Sequence, residues 1–155
     1  GEDSLLLAAA GFMVTMCERD PVIAALLRDS LVRAAGDSRL AGTVSRMELV
    51  EGDGAAFLRA MDKAPDVVFL DPMFPERTKS AAVKKKFQLL HHLERPCEDE
   101  RALLDAALAA RPRKVVIKRP PKGPWLAGVR PSHSIAGKAV RYDVIAPPTN
   151  APRHP

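Results

Sequence analysis

Apolar and polar positions change rhythm several times along the chain, and each change marks a candidate element. Residues 3–10 carry Leu5, Leu6 and Leu7 followed by alanines, a helical stretch that Gly11 would close. Residues 12–17 form a short apolar run that predicts a strand. Asp20-Pro21 then predicts a helix start, with Asp20 as cap and Pro21 in the first turn, where its missing N–H costs nothing. Val22, Ile23, Leu26, Leu27 and Leu31 keep the helical period as far as Gly36.

Further along, residues 44–50 predict a strand and 55–61 a short helix. Val67–Leu70, an apolar run between Asp66 and Asp71-Pro72, fits a fully buried parallel strand. A helix over 79–93 would set Val83, Phe87 and Leu90 on one face with lysines beside them. Residues 98–110, rich in Ala and Leu, predict another helix, 114–118 a strand, and 139–145 a final strand. The stretch 147–155 has a high proline content and no core pattern, so a frayed tail is expected there. Strands alternating with helices predict an α/β fold, a mostly parallel sheet with helices on both faces, in one domain over residues 1–146.

Composition narrows the class without changing that architecture. A chain of 155 residues, 46% hydrophobic and 28% charged, is long enough for one core and lacks a disorder signature. No apolar run reaches the roughly 18–20 residues of a membrane span, and no signal-peptide pattern is present. A cytoplasmic location with no membrane partner is the expectation. Cys17 and Cys97 make no disulfide framework and lack metal-ligand spacing, and the histidines do not cluster with them, so no metal is expected.

Charge adds a candidate partner. Lys and Arg number 24 against 19 Asp and Glu, a formal net charge of +5, which permits a polyanionic partner. The excess is concentrated in two acid-free stretches. One holds Arg77, Lys79, Lys84, Lys85 and Lys86; the other holds Arg111, Arg113, Lys114, Lys118, Arg119 and Lys122. A lysine run is most often a solvated helix face. Here it follows closely on Phe74, which makes Arg77, Lys79 and Lys84 candidates for phosphate contacts, with Lys118 and Arg119 extending the same surface. Trp125 is a candidate base-stacking residue, although packing is the commoner role of a lone tryptophan.

In open α/β sheets ligands bind beyond the carboxyl ends of the strands. Three successive candidate strands are followed there by an acid: Glu18-Arg19-Asp20, Asp53-Gly54 and Asp71-Pro72-Met73-Phe74. Asp20 reads chiefly as a helix cap, whereas Glu18 at the strand end is placed to accept both hydroxyls of a ribose. Asp53-Gly54 is either an ordinary turn or a site where Asp53 accepts from an adenine amine. The third sequence is the most specific. A nucleobase amine is a poor nucleophile because its lone pair is delocalised into the ring. An acceptor side chain such as Asp71, together with a carbonyl fixed by Pro72, would orient the amine, and Phe74 would stack on an extruded base. The alternative is a strand-ending turn with Phe74 in the core.

This order of acids resembles class I methyltransferases. More narrowly, residues 67–75, with Lys79-Ser80-Ala81 and Val83-Lys84-Lys85 after them, closely resemble the bacterial ribosomal RNA small subunit methyltransferase J family. Residues 18–27 and 115–120 are similar to that family as well, and the likeness runs over 1–146. The resemblance implies a Rossmann-like fold and methyl transfer from S-adenosylmethionine to the exocyclic N2 of a guanine in small-subunit (16S) ribosomal RNA, leaving S-adenosylhomocysteine. It implies no metal, and free rRNA or the assembled small ribosomal subunit as partner. By position it implies cofactor contacts at Glu2, Asp3, Glu18, Arg19, Asp53, Gly54 and Asp71, and catalytic roles for Asp71, Pro72 and Phe74.

Such folds begin with a strand and a glycine-rich turn, of which only Gly1-Glu2-Asp3 stands here, so the natural protein is expected to continue upstream. Two other readings stay open. One is an adenine or cytosine amino-methyltransferase on DNA or RNA, which shares the Asp-Pro-x-Phe logic. The other is a non-catalytic nucleotide- or RNA-binding α/β domain. Against a nicotinamide enzyme, no complete Gly-x-Gly-x-x-Gly follows any candidate strand.

Overall fold

A computed structural model of the chain describes residues 1–72 and 99–147. The expected helix over 79–93, the residues Phe74, Arg77, Lys79 and Lys84, and the tail beyond 147 lie outside the described residues. The described residues form two compact regions, 1–57 in the first and 58–72 with 99–147 in the second.

The first region runs α1 (Glu2–Ala9), β1 (Val14–Glu18), α2 (Pro21–Ala35), α3 (Ala41–Val44) and β2 (Met47–Glu51), and ends within α4 (Gly54–Ala60). Gly11 closes α1 as its sequence suggested. At φ +98° it donates to the Ala8 carbonyl at 3.0 Å, and Phe12 donates to Leu7 at 3.1 Å, the two bonds of a Schellman ending. Asp20 caps α2, its Oδ1 accepting from the Val22 and Ile23 amides at 2.9 and 3.1 Å. Parallel strands need a crossover, and α2 supplies it. β1 and β2 pair in parallel from Val14 opposite Met47 to Glu18 opposite Glu51, with α1 and α2 packed on them. The side chains removed from water are Ala8, Met16, Ile23, Ala24 and Val44.

The strand expected over 44–50 starts only at Met47. Residues Ala41–Val44 wind into a helical turn instead, with the Thr43 and Val44 amides both donating to the Leu40 carbonyl at 2.9 Å. That turn drives Val44 into the core, so burial outweighs the β preference of its branched side chain.

The second region contains β3 (Val67–Leu70), α5 (Glu100–Ala109), β4 (Lys114–Arg119), a 3-10 turn at Leu126–Gly128, β5 (His133–Ala136) and β6 (Arg141–Ile145). Its strands lie in the order β3-β4-β6-β5. β3 and β4 are parallel, with Val67 opposite Lys114 and Leu70 opposite Ile117, and β6 is antiparallel to both β4 and β5. Val68, Leu70, Leu104, Ala107, Val115, Ile117 and Leu126 make one contiguous core. β3 departs from the fully buried strand expected of it, since Val67 is 46% exposed. The buried positions of β3 are Val68 and Leu70, which share one face because alternate residues of a strand point to opposite sides. Among the described residues, β1 and β3 are each paired along one edge.

No strand was expected at β5. Its only large apolar side chain, Ile135, is 60% exposed, and the strand is defined by its pairing with β6. The Gly137 amide donates to Val140 across the turn, and that of Ser132 to Val144, each at 2.8 Å.

Candidate functional site

Glu18 ends β1, and its carbonyl accepts the Gly52 amide at 2.8 Å, which draws the turn before Asp53 against the strand end. One carboxylate oxygen, Oε1, accepts the Asp20 amide at 2.8 Å. The side chain is therefore oriented through one oxygen, with the carboxylate only partly buried. Asp53 is exposed, and its Oδ1 accepts the Ala56 amide at 2.7 Å, so it caps α4. Adjacent Gly54 sits where a β-carbon would come 3.5 Å from Cys17 Cβ, ordinary contact distance. Burial, then the negative charge of Asp53, raise the Cys17 thiol above its usual pKa and keep it protonated at neutral pH. Glu2 and Asp3 occupy the first turn of α1, where the helix dipole favours acids, and Arg19 is exposed beyond β1.

In the second region the chemistry gathers at the carboxyl ends of β3 and β4. Val67, Phe69 and Asp71 share one side of β3 and its continuation; Val116 and Lys118 share the corresponding side of β4. Because Leu70 stands opposite Ile117, the next rung brings Asp71 beside Lys118, and Lys118 Nζ donates to Asp71 Oδ2 at 3.1 Å. The Asp71 side chain is 45% exposed and that of Lys118 25%. Tyr142 of β6 stands opposite Lys118, and the rings of Phe69 and Tyr142 approach at 6.3 Å with a 48° tilt. Pro72 is buried directly after Asp71. Phe74, the stacking candidate, lies outside the described residues.

Arg119 was expected on an RNA-facing surface, and the structure places it inside, 1% exposed. It shares the β4 face of Val115 and Ile117, which points to the core. Its Nε donates to the Pro124 carbonyl at 2.8 Å and its Nη1 to Glu100 Oε1 at 3.3 Å. Burial lowers the pKa of its guanidinium, opposed by the charges of Glu100 and Asp143.

A second arginine joins this arrangement. Arg141 binds buried Asp143 through two nitrogens, each bond 2.8 Å, and also donates to the Pro121 and Gly123 carbonyls at 3.0 Å. Burial alone would raise the Asp143 carboxyl, but hydrogen bonds from Arg141 and Ser134 and the arginine charges hold it below the usual value. Glu100 Oε2 accepts the amide of Ala127, which sits at φ +49°. These groups fix the backbone of the loop after β4. Sequence reading missed Glu100, Arg141, Asp143 and Ser134. The available signal was the Arg-Tyr-Asp alternation of β6, which puts two opposite charges on one strand face.

Among the described residues no group of three His, Cys, Asp or Glu side chains is arranged to hold a metal, and no helix is long and apolar enough to cross a membrane.

Ribosomal RNA small subunit methyltransferase J of Thioalkalivibrio sulfidiphilus is 50% identical over 146 residues, covering 93% of this chain and 57% of the relative. The protein of the same name from Pseudomonas aeruginosa is 49% identical over 145 residues, covering 93% of this chain and 56% of its own. The chain thus spans a little over half the length of the curated relatives it matches. The crystal structure of the SAM-dependent methyltransferase NGO1261 from Neisseria gonorrhoeae superposes with a TM-score of 0.76 at 35% identity, covering 97% of this chain and 59% of that one. The α/β fold is therefore the Rossmann-like one expected of class I methyltransferases. A family described as "Putative SAM-dependent methyltransferase" matches residues 1–147, and the chain belongs to that family.

Proposed function

We propose that the protein transfers a methyl group from S-adenosylmethionine to the exocyclic N2 of a guanine in small-subunit ribosomal RNA, free or within the assembled small subunit. The observation that carries this reading is Asp71, a solvent-reachable carboxylate at the carboxyl end of β3, followed directly by buried Pro72. The names of the relatives support the choice of rRNA as substrate. In this reading the reaction runs in the cytoplasm and uses no metal.

The donor and acceptor chemistry of the first region suits a nucleoside. Ribose hydroxyls donate, and Glu18 offers a carboxylate already turned by the Asp20 amide. Asp53 and Gly54 follow the next strand, where Asp53 keeps an oxygen beyond the one capping α4. Glu2, Asp3 and Arg19, together with Asp71, complete the proposed cofactor contacts. When bound, the cofactor supplies an electrophilic methyl carbon on a sulfonium.

Asp71 accepts a hydrogen bond from the target amine and directs its lone pair outward, while the backbone at Pro72 holds the second acceptor. Phe74 stacks on the base, and Arg77, Lys79 and Lys84 hold phosphates. Catalysis of this kind is chiefly positioning. The test is methyl transfer to small-subunit rRNA lacking base methylation, read by nucleoside mass spectrometry. N2-methylguanosine should appear with the wild type and fall by about 100-fold or more with Asp71→Ala. Methylated adenine or cytosine would replace the substrate in this reading, and cofactor binding without transfer to rRNA or subunits would remove rRNA from it.

A further inference from the structure

We propose that Lys118 is a positioning residue for Asp71, holding one carboxylate oxygen so that the other faces the incoming amine. The inference rests on the methyltransferase reading above and goes beyond it by giving Lys118 a role other than phosphate contact.

The argument begins with strand register. Parallel pairing of β3 with β4 sets Leu70 opposite Ile117, so the residues one step further, Asp71 and Lys118, meet where both strands end. Their bond is 3.1 Å, from Lys118 Nζ to Asp71 Oδ2. The lysine starts from the middle strand of three, with β3 on one side and β6 on the other. Phe69 and Tyr142, from those two outer strands, bring their rings to 6.3 Å on the same sheet side. The lysine is less exposed than its partner, at 25% against 45%. A phosphate-seeking lysine would extend into solvent; this one turns along the sheet to a carboxylate.

Partly exposed ion pairs contribute little to stability, so this pair has small value as a staple. Orientation is a different matter. The carboxylate torsion of aspartate is broad and nearly two-fold, and an acceptor that must aim an amine lone pair loses effectiveness when it turns. Fixing Oδ2 with an ammonium leaves Oδ1 to serve as the acceptor. In the transfer step the amine nitrogen forms its bond to the methyl carbon as the carbon–sulfur bond breaks. Sulfur keeps that electron pair, and the nitrogen then releases a proton to water. Lys118 takes no part in these bond changes and acts through Asp71.

The test compares Lys118→Met and Lys118→Arg with the wild type, each as the natural full-length protein. Measured quantities are kcat at saturating RNA, RNA affinity across a salt series, and cofactor affinity as a check of folding. Lys118→Met should lower kcat about 10- to 100-fold, the scale of a misplaced reacting group, with RNA affinity and its salt slope unchanged. Lys118→Arg should restore much of the rate. In an Asp71→Ala background Lys118→Met should add nothing, since the group it serves is gone.

A Lys118→Met variant with normal kcat and a salt slope shallower by about one contact would make Lys118 a phosphate ligand and overturn the proposal. Additive losses in the double variant would overturn it too, and so would a variant indistinguishable from wild type. Absence of transfer by the wild type would instead defeat the underlying methyltransferase reading.

Discussion

The two regions are built on different physical terms. Residues 1–57 bury Ala8 and Ala24 fully and Met16, Ile23 and Val44 nearly so, and leave Leu6, Phe12, Met13 and Val32 more than half exposed. Its order comes from local devices: the Schellman ending at Gly11, the Asp20 cap and the Glu18 bond to the Asp20 amide. The second region has a contiguous core around Leu104, Val115, Ile117 and Leu126, and beside it a buried ionic arrangement of Arg119, Arg141 and Asp143. The first region rests on the β1–β2 ladder together with these local hydrogen bonds, the second on its contiguous core and buried ions. The proposed cofactor residues sit on the first kind of support, and the proposed base-orienting residue on the second.

Substitutions should separate these two supports. Leu104→Ala, at a side chain 1% exposed, should destabilise the second region by about 2–5 kcal/mol, read by urea unfolding with region-resolved hydrogen exchange. Asp143→Asn should cost about 2 kcal/mol at neutral pH, because it weakens charged hydrogen bonds in a buried setting. It should also change the acid limb. The folded Asp143 carboxyl lies below its ordinary 3.8, so its contribution is complete above that value and is lost as pH falls through the lower folded one. Wild-type stability should therefore drop more steeply than that of Asp143→Asn in that acid window.

In the first region Asp20→Ala should cost about 1 kcal/mol by freeing the Val22 and Ile23 amides. Val32→Ser, at 69% exposure, should stay within about 0.5 kcal/mol. A first region as sensitive at Val32 as the second is at Leu104 would erase the contrast.

Legibility in the sequence does not follow that division; each region holds one element that its own residues announce and one that they hide. α2 was readable because Asp20-Pro21 states its start in two adjacent residues, and β3 because Asp71-Pro72 states its end. β5 was not, because Ser-His-Ser-Ile-Ala has no local preference to compete with and becomes a strand only beside β6. The helical turn at Ala41–Val44 was hidden for the same reason, since Val44 answers to the core rather than to its own propensity. The candidate acids Glu18, Asp53 and Asp71 stand out in the sequence because each follows an apolar run. Arg119 was misplaced because a basic stretch was read as charge alone. Its two-residue phase with Val115 and Ile117 already pointed inward, and the phase of Lys118 pointed the other way.

The pairing of Leu70 with Ile117 has a further consequence. Strand side chains alternate with a period of two, so a shift of β3 by one residue would carry Asp71 to the core side and turn Val68 and Leu70 toward water. A misaligned sheet would thus lose its hydrophobic cover and its carboxylate together. Quality control of the folded chain needs no separate check on the site, because any molecule that passes for apolar burial on β3 already presents Asp71 on the side where Lys118 waits.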